Sequence, residues 1–391
     1  MTTGSRGVEA GDGAPSTSIL PPFDESMARS RTGPTRAQVI LLVGLLLAAL
    51  VAGGGLFLWR SHRLLPPVQV VPTGAPAPVR TWPSGVWTGG TWGAERVAAF
   101  AQWRGSPIDT AITYPAYDTW QQMSEQSDWH VAVFDGFRGT LVYGLPLLPK
   151  DSAGHGLDEV ARGDHDAVFT AVAATLRKHG RGDSYIRVGL EAQGAWFPWG
   201  VNNGGNTAAG FKAAFVHVAR LLRAELPKAK IVFDTSCGAP LRGQSNRMDL
   251  LTTLYPGDDV VDVVGCDHYD QYQLIGHNEK QFTKALTPDK AAGLQDTLDF
   301  ARAHGKRFAV PEWGVAASSK SGGGDNDYFV YAMYMWFAAN AKDIAFENYF
   351  NEPDATLGSS IWDQVQNPKS SMEYKKLWGL TARPATPSAS G

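Results

Sequence analysis

Cysteine is scarce in this chain: there are two among 391 residues, Cys237 and Cys266. They form neither a Cys-x-x-Cys redox pair nor a zinc-ribbon spacing. The nine histidines are scattered, and no His-Glu-x-x-His occurs. No metal and no cofactor is expected. Charge of one sign is lacking too. The 35 Lys and Arg stand against 38 Asp and Glu, a formal net charge of −3. No basic surface of the kind a nucleic-acid partner requires is indicated. A phosphate loop is missing, because Gly322-Gly323-Gly324 follows Lys320-Ser321 instead of preceding Lys-Ser/Thr. Thr88-Gly89-Gly90 is not followed by the glycine spacing of a dinucleotide fold. No repeat with a period of about 20–50 residues is present.

What is abundant is aromatic surface: 11% Phe, Trp and Tyr, with 13 Trp. Tryptophan serves equally as a core residue and as a flat face with a polar handle for stacking on sugars. Residues 1–36 are rich in Gly, Ser, Thr, Pro and Arg, so they cannot bury enough apolar surface to offset ordering, and a disordered tail is expected. Residues 37–59 are predominantly apolar and uncharged throughout. A bilayer core needs roughly 20 helical residues, so a single transmembrane anchor is expected there. The alternative is a cleaved signal peptide, whose apolar region is usually only about 7–15 residues. Arg29, Arg31 and Arg36 precede the run, against Arg60 and Arg63 after it. This slightly favours a cytoplasmic N-terminus and an extracellular main domain. Residues 60–83, punctuated by proline, read as an extended linker, and 381–391 as a second flexible tail.

Between them, over 84–380, strand-like and helix-like segments alternate. Strands are expected over 85–89, 109–114, 140–145, 185–191, 230–236, 260–269, 307–313 and 344–350. Helices are expected over 158–178, 211–224, 291–303 and 327–339. Eight strands with interposed helices predict a (β/α)8 barrel of the α/β class.

In such barrels the chemistry sits at the C-terminal strand ends. Two acids lie there: Glu191 after the fourth strand and Glu312 in the seventh. A lone strand-end carboxylate is often only a cap or ion-pair partner. A pair three βα units apart faces itself across the mouth. Glycosidic bond cleavage needs such a pair, one protonated and one ionised, about 5–5.5 Å apart in retaining enzymes. Trp196, Phe197 and Trp199 follow Glu191 closely, and aromatics favour a protonated neighbour while offering stacking faces. Asn351-Glu352-Pro353 follows the eighth strand, too late in the chain for the acid role. Glu347 is left open between the mouth and a structural pairing. Gly163-Asp164-His165-Asp166 reads as a solvated helix opening, and the Gly322–Gly324 segment as a mobile rim loop. Cys237 and Cys266 end or follow the adjacent fifth and sixth strands; a disulfide and two buried thiols are both compatible with that.

These segments resemble glycoside hydrolase family 26. Arg187-Val188-Gly189-Leu190-Glu191-Ala192-Gln193-Gly194-Ala195-Trp196-Phe197-Pro198-Trp199 is similar to the family's acid/base segment. Val261 to Asp270 is similar to its sixth strand, and Val310-Pro311-Glu312-Trp313-Gly314-Val315 to its nucleophile segment. The resemblance implies retaining hydrolysis of a β-linked polysaccharide such as a mannan or an envelope glycan. In it, Glu191 is acid/base, Glu312 is nucleophile, and Tyr269 orients Glu312. Trp196, Trp199, Gln193 and Trp313 would meet substrate. Two departures stand out: Leu190 where the family has His, and Gln193 where it has Asn. They bear on mannan specificity. A non-catalytic glycan-binding barrel and a transglycosylase using the same acids are the alternatives.

Overall fold

In the computed structural model, residues 77–89, 93–152, 156–244 and 246–380 are described. The expected tails 1–36 and 381–391, the apolar run 37–59 and most of the linker lie outside them. Among the described residues, no helix is long and apolar enough to cross a membrane.

Eight parallel strands close into a barrel in sequence order: β1 (Ser84–Trp87), β2 (Thr110–Thr113), β3 (Thr140–Leu145), β4 (Tyr185–Val188), β5 (Lys230–Ser236), β6 (Val263–Tyr269), β7 (Arg307–Gly314) and β8 (Ile344–Phe350). β1 pairs with β8 through Gly85 opposite Asn348, which closes the ring. The (β/α)8 expectation is met, and three of the strand ranges match residue for residue.

The strands are buried on both faces, as parallel sheets require. Side chains alternate along each strand. Ile112, Val142, Val232, Val263, Ala309 and Phe346 form a small apolar layer inside the barrel. Their strand neighbours Ala111, Leu141, Ile231, Val264, Phe308 and Val310 join the larger core beneath the helices. Two residues above the inner layer, the same alternation turns Arg187 inward beside Asp234, so a charged layer caps an apolar one.

Two expectations on the helices and the linker need correcting. The helix expected over 158–178 is two helices, Leu157–Arg162 and Asp166–Lys178. Gly163, at φ 87°, breaks it. The described end of the linker is part of the barrel. Trp82 is buried against Tyr334 and Phe337, Arg80 pairs with Asp109 at 2.8 Å, and the Arg80 amide donates to Leu380 O. An apolar Trp and a paired Arg were both hidden by the surrounding prolines.

Candidate active site

β4 ends at Val188, short of the expected strand end at Glu191. The chain then turns through Gly189 at φ 55° and Glu191 at φ 48°. A non-glycine residue in the left-handed region costs on the order of 1–3 kcal/mol and persists only where its surroundings enforce it. Here the enforcing contact is the Glu191 amide, which donates to Asp234 Oδ1 at 2.7 Å. The turn carries the Glu191 side chain over the barrel mouth, where Oε2 accepts from Trp196 Nε1 at 2.6 Å.

Glu312 comes from within β7, and its backbone is held in the same manner: its amide donates to Asp267 Oδ1 at 3.0 Å. Oε1 accepts from Arg187 Nη1 at 2.7 Å and from the Tyr114 hydroxyl. Oε2 accepts from the Tyr269 hydroxyl at 2.7 Å. Arg187 is fully buried and ties the assembly together. Its Nε reaches Asp234 Oδ2 at 2.7 Å, and its Nη2 reaches Asp267 Oδ2 at 2.6 Å.

Carboxylates thus outnumber the one guanidinium, and the two glutamates differ in what faces them. Glu312 is met by a cation and two phenols. Among the described residues, the Glu191 side chain is met only by a neutral indole N–H. Loss of water in the cleft, reinforced by the negative charge of Glu312, pushes the Glu191 carboxyl up to about 8. It therefore stays protonated at neutral pH. Burial also raises Asp267 well above the ordinary range, against the pull of Arg187.

A cleft of about 670 Å³ opens beside the pair, bordered by Glu191, Glu312, Trp196, Tyr269, Gln271 and Tyr272. Trp196, which lines the cleft, is 57% exposed. A disulfide joins Cys237 and Cys266 beneath this rim, and Cys237, Gly238 and Ala239 line the cleft. The Gly322–Gly324 loop, expected to be mobile, is tied down. Gly322 bridges to Gln271, and the Gly323 amide donates to Asp270 O at 2.8 Å. A Cβ at Gly323 would lie 1.9 Å from Asp270 Oδ2, so only glycine fits there.

Two of the expected contact residues are turned elsewhere. Gln193 is fully buried, and its amide is spent on Ser236 and Ala239, pinning the β4 loop to the β5 loop. Trp313 faces outward because the register of β7 against β8 shifts between Val310 and Trp313, which reverses the alternation that puts Ala309 inside and Val310 outside. It stacks on Trp378 at 5.0 Å and donates to Glu347 Oε2 at 2.6 Å. Glu347 is accordingly structural and also accepts from Trp378. Trp199 is fully buried, donates to Leu190 O at 2.9 Å and stacks on Phe197 at 4.6 Å, backing the wall of a second, smaller hollow. His165, in the Gly163–Asp166 segment, stacks on Trp120 at 3.8 Å. Glu352 accepts from Trp87 Nε1 at 3.0 Å.

Sequence reading overlooked Tyr114, Asp234 and Asp267 as members of the site, and Arg187 was quoted only as part of a motif. The signal was available: each of the three charges interrupts an otherwise apolar buried strand, where an unpaired charge is prohibitive.

Residues 176–317 match the profile of Glycosyl hydrolase family 26. This segment contains Arg187, Glu191, Asp234, Asp267, Tyr269 and Glu312. A mannan endo-1,4-beta-mannosidase from Bifidobacterium adolescentis is 29% identical over 173 residues, 42% of this chain and 16% of that protein. The chain therefore spans less than a fifth of that relative's length. Among solved structures, the catalytic domain of the Bacillus sp. JAMB-750 GH26 endo-beta-1,4-mannanase aligns with a TM-score of 0.55 at 17% identity. That alignment covers 78% of this chain and 87% of the other. A Cellulomonas fimi endo-beta-1,4-mannanase double mutant aligns with a TM-score of 0.55 at 18% identity, covering 77% and 70%. At these identities the structural likeness is one of fold.

Proposed function

We propose that this chain is a retaining glycoside hydrolase of the family 26 type, acting on a β-linked, mannan-like polysaccharide. The observation that carries the proposal is the unequal treatment of two glutamates on one cleft. Glu191 is kept protonated by its surroundings, and Glu312 is faced by Arg187 and two phenols. Those are the two states that double displacement requires.

In the first step Glu312 attacks the anomeric carbon while Glu191 gives its proton to the glycosidic oxygen. The C–O bond breaks, and the leaving sugar departs with that proton. An ester joins the retained sugar to Glu312. In the second step Glu191, now a carboxylate, takes a proton from water as the water oxygen attacks the same carbon. The ester breaks, and both acids return to their starting states. Arg187, Tyr114 and Tyr269 orient Glu312 throughout. Trp196 offers a stacking face to the polymer.

The same proposal places the barrel outside the cell, tethered by residues 37–59. The Cys237–Cys266 disulfide supports an oxidising compartment. Digestion of a panel of β-mannans, β-glucans, xylans and envelope polysaccharides by the full chain, beside Glu312→Gln, tests the activity. Cleavage of one polymer by the wild type alone is expected. Equal binding by both proteins with no cleavage would overturn hydrolysis in favour of a binding module.

A further inference from the structure

Two hollows meet at the carboxylate pair, and Glu191 and Glu312 border both. Trp196, which holds Glu191 Oε2, lines only the larger one. The scissile bond lies between the two hollows, within reach of both carboxylates, and the larger one, with its exposed Trp196, suits the leaving portion of the polymer. The smaller hollow, about 240 Å³, is left for the sugar that is attacked. Its walls are Tyr114, Tyr117, Leu190, Phe197, Trp199 and Phe350.

That wall is largely apolar. The Tyr114 hydroxyl is engaged with Glu312 and with Arg187 at 3.1 Å. The Trp199 N–H is spent on Leu190 O. Leu190, Phe197 and Phe350 have no side-chain donor or acceptor at all. Besides the two carboxylates, Tyr117 is the only wall side chain, among the described residues, left to meet a sugar hydroxyl. A fully hydroxylated hexose seated here would lose water from several hydroxyls without replacement bonds. A methyl group in the same place gains from burial.

We propose, on the basis of the hydrolase reading above, that the sugar held in this hollow presents a methyl group to the apolar wall. The class is a 6-deoxyhexose or an O-methylated hexose, with Leu190 as the residue that sets the preference. A hydrophobic pocket discriminates such pairs by about ten- to a hundredfold.

The test uses 2,4-dinitrophenyl β-glycosides of mannose and glucose, each beside its 6-deoxy and its 6-O-methyl analogue. Wild type and Leu190→His are compared in kcat/KM. In parallel, wild type is titrated with the corresponding methyl glycosides. A methyl-bearing member is expected to exceed its parent by at least tenfold, and which analogue wins separates the two sources of the methyl. Leu190→His is expected to shrink that advantage by about tenfold. Parent sugars that react and bind as well as both analogues overturn the inference, whatever Leu190→His does. Should nothing be hydrolysed while the methyl-bearing glycoside still binds more tightly, the hollow's preference stands and hydrolysis falls. Equal binding with no hydrolysis removes both.

Discussion

Asp234 holds Glu191 by its backbone. One Asp234 oxygen accepts the Glu191 amide at 2.7 Å, and the other takes Arg187 Nε at 2.7 Å. A strained backbone, a buried ion pair and the proposed acid are therefore one unit. The charge of Asp234 also raises the Glu191 carboxyl, as one of the lesser causes after burial and Glu312.

Asp234→Asn should thus lower activity and shift its pH dependence together. Misplacing a reacting group by about 1 Å costs on the order of 10²-fold, so a fall in kcat of that size is expected. The alkaline limb of kcat/KM, expected from the raised Glu191 carboxyl at about pH 8 in the wild type, should move to lower pH, because one negative neighbour is gone. A lower kcat with an unmoved limb would mean that Asp234 acts only as a scaffold.

Trp196→Phe should move the same limb the other way. The indole N–H bond stabilises the ionised form of Glu191 and so lowers its pKa. Without it the carboxyl holds its proton to higher pH, and the limb shifts upward. The phenyl ring keeps part of the stacking face, so KM for polysaccharide should rise by less than in Trp196→Ala. A pH–rate profile of both variants gives the sign directly.

The barrel and its two acids were legible because they rest on local rules: strand period, strand count, and a carboxylate at a strand end. Trp313 was not correctable from the strand period: alternation continued from the inward Ala309 would turn Trp313 inward too, and only the irregularity of β7 between Val310 and Trp313 reverses it. The Asp234–Arg187–Asp267 layer was harder to see. Its members lie 47 and 80 residues apart in pairing, and only barrel closure brings them together. The fate of Gln193 was not legible at all. An amide after a catalytic segment looks the same whether it faces substrate or a neighbouring loop's carbonyls.

Glu191→Gln separates proton donation from attack. On polysaccharide, losing general acid catalysis should cost about 10²–10⁴-fold. On a 2,4-dinitrophenyl glycoside, whose leaving group needs no proton, formation of the ester should be nearly unchanged. A pre-steady-state burst should then appear, since the second step still lacks its base. Equal losses on both substrates sink the assignment of Glu191.

Trp313→Phe tests the outward placement. The variant deprives buried Glu347 of one of its two indole donors. Burial already raises the Glu347 carboxyl, so it can carry its own proton and limit the damage. A loss of about 1–3 kcal/mol in urea unfolding is expected, with kcat/KM within about twofold of wild type. A large kinetic effect at intact stability would return Trp313 to the cleft.

The Cys237–Cys266 bridge closes a loop over a sequence separation of 29 residues. Constraining a loop of that size in the unfolded chain is worth about 3–4 kcal/mol. The double variant Cys237→Ala/Cys266→Ala should lose stability on that scale in chemical denaturation. Because Cys237 borders the cleft beside Gly238 and Ala239, the variant should also raise KM for polysaccharide more than it lowers kcat. Maleimide labelling of the denatured wild type should proceed only after reduction. Labelling without reductant would mean that the thiols are free, and the case for an oxidising compartment would lose its support.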